Sequence, residues 1–66
     1  MALHRDSAVV VRLRDATDRL NATEEKFCRE LPGADAAKAT ALANELAPVR
    51  REWNAAFDAF EEAQHA

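Results

Sequence analysis

The sequence predicts an all-α protein: an antiparallel two-helix hairpin, coiled-coil-like, that pairs into a four-helix bundle. Three observations predict it. The chain is rich in Ala, Glu, Leu and Arg, the strongest helix formers, and holds one Gly and no Tyr. Its apolar residues recur at alternating steps of three and four, the heptad of a coiled coil. Its only Gly and one of its two Pro residues stand together in "ELPGAD", between two long periodic segments.

The first segment is expected to be helical over about residues 6–31, with Asp6 or Ser7 capping its start. Its apolar series is Val9, Leu13, Ala16, Leu20, Thr23 and Phe27, and Thr23 is the one polar member. A turn is expected over about residues 32–34. Pro32 cannot continue a helix and disfavours the α region at Leu31, and Gly33 can take the positive φ that ends one. The second helix is expected over about residues 35–64. Asp35 is its N-cap, placed to accept from the open N–H groups of the first turn and to suit the positive end of the dipole. Its series is Ala39, Leu42, Leu46, Val49, Trp53, Ala56, Phe60 and Ala63. Pro48 falls inside that series. It removes a hydrogen bond to the Asn44 carbonyl and predicts a kink, with a full break into three helices as the alternative. The heptad stays in phase across it, which favours the kink.

Folding back at Pro32–Gly33 sets Phe27 against Ala39, Leu20 against Leu46, Leu13 against Trp53, and Val9 or Val10 against Phe57. Large residues often meet small ones, as interdigitation requires. With Leu13, Leu20 and Phe27 at heptad position a, the residues Arg5, Arg12, Arg19 and Lys26 fall at g; Lys38, Glu45 and Glu52 hold g in the second helix. In an antiparallel pair g faces g, so Arg12 should meet Glu52 and Arg19 should meet Glu45. Lys26 opposite Lys38 is the mismatch. Such exposed pairs set alignment more than stability.

The whole chain, residues 1–66, is read as a single helical-hairpin domain. A chain of 66 residues buries only about 60% of its unfolded surface and is marginal alone. Cys28 is the only Cys, so no internal disulfide can staple it, and oligomerisation is the expected source of further stability. The e positions of the two helices supply the surface: Val10 beside Phe57, with Leu3 and Phe60 near the open end. These four residues are the candidate protein interface. The plainer reading is that Phe57 only covers Trp53 within one molecule.

The sequence offers no catalytic constellation, and no enzyme, cofactor or small-molecule substrate is expected. There is no Gly-rich phosphate loop and no HExxH or ExxH. His4 and His65 would approach each other at the open end, with Glu61 one turn before His65. Two His and a carboxylate can hold a divalent ion. Fraying termini are the plainer reading, so no metal site is expected. Cys28 lies at an outer position with no base nearby and is read as a partly covered, inert thiol. "NAT" at Asn21–Thr23 matches a glycosylation acceptor by chance. The net charge of −3 argues against a dedicated nucleic-acid binder. No apolar run is long enough to span a membrane, and the N-terminus lacks the apolar core of a signal peptide. A cytoplasmic setting is the default; a secreted effector and a fragment of a larger chain are the alternatives.

Arg12, Arg14, Arg19, Arg50 and Arg51 form a basic belt at mid-hairpin. The stretch "ADAAKATALANELAPVRREWNAAFDAF" resembles the second helix of the Rop-like plasmid RNA-binding hairpins in its placement of Ala, Leu and the final aromatic. That resemblance is architectural and implies a hairpin dimerising into a four-helix bundle. It transfers no RNA-contacting residue, and an ion-paired, solvated face is the preferred reading of the belt. Length, hairpin and acidic balance also resemble the small helical-hairpin chaperones of type III secretion, which implies pairing with a different helical protein. Both resemblances place the chain in a bacterial setting. The expected function is therefore a homodimeric structural or adaptor module. A chaperone or subunit with a different helical partner comes second, and an RNA-binding regulator third.

Overall fold

The computed structural model describes residues 3–65, with side chains from residue 8 onward. Helix α1 runs Leu3–Glu30, a short 3₁₀ turn follows at Leu31–Gly33, and helix α2 runs Ala36–His65. The two helices pack against each other along their length, and the described residues contain no strand. The molecule is a helical hairpin.

The heptad explains the packing residue by residue. Every a and d position with a described side chain is buried or half-buried: Val9, Leu13, Ala16, Leu20, Thr23, Phe27 and Glu30 in α1, and Ala39 through Ala63 of the apolar series in α2. The deepest are Ala16, Leu42, Leu46 and Ala56. Burying a leucine is worth roughly 1.5–3 kcal/mol. Two leucines and two alanines therefore make a thin core, and among the described residues no large side chain is sealed completely. The shape follows from this. The backbone measures 52 × 14 × 11 Å with a radius of gyration of 15.2 Å. A compact domain of 66 residues would have about 11 Å.

Three details of the fold differ from the expectations above. Helix α1 already includes Leu3, so Asp6 and Ser7 lie within it and do not cap it. Nothing from Leu3 to Arg5 breaks a helix, and a cap residue stops nothing when good helix formers precede it. Gly33 does not take a positive φ; no described residue does. The reversal is made instead by Pro32 inside the 3₁₀ turn. There the Ala34 N–H donates to the Leu31 carbonyl at 3.0 Å, and Ala34 itself is extended at φ −88°, ψ 141°. Helix α2 passes through Pro48 unbroken, as the in-phase heptad favours, which removes the three-helix alternative. Pro48 and Asn44 are both exposed, so the carbonyl that loses its N–H partner lies on a hydrated surface. Third, Cys28 is exposed rather than partly covered.

Asp35 caps α2 as expected. Its Oδ1 accepts from the Lys38 backbone N–H at 2.8 Å, and its carbonyl accepts from the Ala39 N–H at 2.9 Å.

Candidate interaction face

The a/d seam divides the surface of the hairpin into two long faces. Positions g and c of both helices lie on one side of the seam, and positions e and b lie on the other.

The g side is ionic. Arg12 Nε lies 3.2 Å from Glu52 Oε1, the pairing the heptad predicts. Glu45 goes elsewhere than predicted: it accepts from Lys26 Nζ at 3.0 and 3.2 Å, not from Arg19. Lys38, expected opposite Lys26, bonds Glu30 at 2.9 Å. The physical reason is the stagger of an antiparallel pair. Each g residue lies between two g residues of the other helix, one heptad apart, and long side chains can reach either. Lys26 escapes the repulsion of Lys38 by taking Glu45, and Lys38 turns back to the carboxylate at the end of α1. The hydrogen bond and charge of Glu45 raise the Lys26 pKa, and the hydrogen bond of Lys38 lowers the Glu30 pKa.

The e side is organised around Trp53. Its Nε1–H donates to Thr17 Oγ1 at 2.9 Å, and the Thr17 hydroxyl donates onward to the Leu13 carbonyl at 2.7 Å. The indole is thus satisfied while its ring stays in the seam. Phe57 stacks on it one turn later, with ring centroids 5.2 Å apart and planes at 9°. Phe57 does cover Trp53, yet it remains 36% exposed, and Val10 is 46% exposed. Both hold e positions at matching levels of the two helices. Phe60 sits at a seam position and is half-buried, while the side chain of Leu3 lies outside the described residues. Val10 and Phe57 are thus apolar side chains left partly in water on the half of the hairpin nearer its open end.

Two features of this face escaped the sequence reading. Arg50 Nη2 reaches 3.4 Å from Glu24 Oε2 across the seam, so the e side carries an internally neutralised pair. Nearer the turn lies a shallow, mainly apolar depression lined by Phe27, Ala43, Leu46, Ala47, Arg50 and Arg51. Its signal was present in the sequence: Ala43 and Ala47 leave the e and b positions of α2 without bulk, between longer neighbours.

The basic belt is dispersed among carboxylates. Arg12 meets Glu52, Arg50 meets Glu24, and Arg14 lies 3.7 Å from its neighbour Asp15; among the described residues Arg19 and Arg51 have no ion pair. At the open end His65 borders a depression with Asp58, Glu61 and Glu62. No three His, Cys, Asp or Glu side chains among the described residues converge as metal ligands, and His4 lies outside the described side chains. No described helix is long and apolar enough to cross a membrane. Comparison with protein-family models, curated proteins and solved structures returns no match.

Proposed function

We propose that this chain is a non-enzymatic helical interaction module, a homodimeric structural or adaptor protein. In this reading its e/b face packs on a second copy to complete a four-helix bundle. One observation carries it: a hairpin with only four well-buried residues among those described leaves Val10 46% and Phe57 36% exposed, both at e positions. The surface area agrees. The chain exposes 4854 Å², where a folded monomer of 7.3 kDa is expected to expose about 4200 Å². A face of 52 × 14 Å would bury about 700 Å² per copy, near the 800 Å² per partner of stable interfaces. The ion-paired g side supports the assignment from the other direction. Arg12, Lys26 and Lys38 on it are each held by a carboxylate of the same molecule, which leaves Arg19 without a neighbouring free cation to build a basic patch for RNA phosphates. An exposed, unpaired Cys28 fits a reducing compartment such as the cytoplasm.

Sedimentation equilibrium of the purified chain at several concentrations tests this reading. A dimer that Phe57→Asp converts to a helical monomer is the expected result. A helical monomer at every concentration would remove the second copy and leave a different helical protein as the occupant of the face.

A further inference from the structure

We infer that the two copies pack with their turns at opposite ends, each inserting Phe57 into the depression between Ala43 and Ala47 of the other. The inference rests on the homodimer reading above and adds its orientation and register. The e side carries both a projection and a recess. Phe57 is the exposed aromatic of the e side, raised because its ring lies flat on Trp53. The recess is lined by Phe27 and Leu46 of the seam together with the two alanines. Both lie on α2, ten residues apart from Phe57 to Ala47, about 15 Å at 1.5 Å per residue.

A single surface that holds a knob and a hole can satisfy both only through a twofold axis midway between them. Here that axis crosses α2 near Arg51 and runs across the long direction of the rod. It lays α2 antiparallel on the α2 of the other copy, so each Phe57 projects over the alanines of its mate. The opposite arrangement, with both turns at one end, would stack Phe57 against the Val10 of the other copy and leave polar Asn21 and Glu24 over the recess. Near the axis Arg50 and Arg51 of the two copies come together, a like-charge contact that Glu24 relieves at Arg50. Arg50 is tied to Glu24 of its own chain, and it stands at the rim of the recess, where a guanidinium can lie against the entering ring.

The test is an isotope-filtered NOE experiment on an equal mixture of ¹³C-labelled and unlabelled chain, with the mass checked by sedimentation. Cross-peaks between Phe57 ring protons and the Ala43 and Ala47 methyls are expected; within one chain these groups are too far apart to give them. A second measurement is Ala47→Glu, a change at an exposed position, which should raise the dimer Kd more than about ten-fold, some 1.4 kcal/mol. A dimer whose Phe57 ring contacts the partner copy's Val10 or Phe57, or shows no contact to either alanine, overturns the orientation and leaves the homodimer standing. So does an Ala47→Glu dimer of unchanged Kd. A monomer overturns both readings.

Discussion

The two long faces of this hairpin are built from the same helices and the same repeat, yet they do different things. On the g side charge is matched locally: Arg12 with Glu52, Lys26 with Glu45, Lys38 with Glu30. On the e side an indole, a threonine and a phenylalanine form an ordered apolar strip that stays partly in water. A heptad position is therefore not a role. Positions e and g flank the seam equally, and the side chains placed there make one flank self-contained and the other open. Self-containment costs little at g because exposed ion pairs contribute little and need no partner. Exposed apolar area at e gains most when something covers it.

The largest effect should come from the seam on which both faces depend. Leu46→Ala removes one of two buried leucines and is expected to cost about 3 kcal/mol. In a core this thin the purified variant should lose most of its helical circular dichroism at 25 °C; retention of full helicity would show that the seam is not what holds the hairpin. Next come substitutions that separate the faces. Phe57→Asp or Val10→Asp should weaken self-association by about 100-fold, roughly 2.7 kcal/mol, through a buried, unpaired carboxylate. Glu52→Gln on the g side should leave the mass unchanged. Equal loss of mass from both sides would erase the distinction.

A smaller effect sharpens the e side. Thr17→Val keeps the volume but leaves the Trp53 N–H without its acceptor, at a cost of about 1 kcal/mol in thermal unfolding. Smaller still is Gly33→Ala. The position has no positive φ, and a Cβ there would meet open space, so a gain of about 0.5 kcal/mol is expected from the stiffer unfolded chain. A loss would mean the turn needs a conformation that Ala resists.

The g side should answer to pH. Glu30 is held below its ordinary value of 4.5, so its contribution is complete above that pH and is lost as pH falls through the lower folded value. Lys26 is held above 10.5, so its contribution is complete below that pH and is lost as pH rises through the higher folded value. Lys38→Gln should flatten the acid limb of helicity against pH and leave the alkaline limb in place. An unchanged acid limb would remove Lys38 as the cause.

The hairpin was legible in the sequence because a seam of a and d positions is a one-dimensional pattern. Leu13, Leu20, Leu46 and Trp53 announce it by spacing alone, and Asp35 announces its cap by chemistry. The ion pairs were only half legible. Spacing says that Glu45 faces the basic g row, but two lysine or arginine residues lie within reach, and the choice of Lys26 over Arg19 depends on where Lys38 goes. Gly33 misled because a lone Gly after a helix usually marks a left-handed cap, whereas Pro32 makes a 3₁₀ reversal that needs none. The recess at Ala43 and Ala47 was harder still to foresee. A hole is made by absent atoms, and its walls come from Phe27 on the other helix as much as from the alanines themselves.

The account turns on a hairpin whose open face is completed by a second copy. Its most direct test is the thermal unfolding of the full chain, followed by circular dichroism over a thousand-fold range of concentration. If pairing stabilises the folded hairpin, Tm rises steadily with concentration and Phe57→Asp abolishes the rise. A Tm that stays fixed across the range, with full helicity at the lowest concentration, would contradict the account and make the hairpin sufficient by itself.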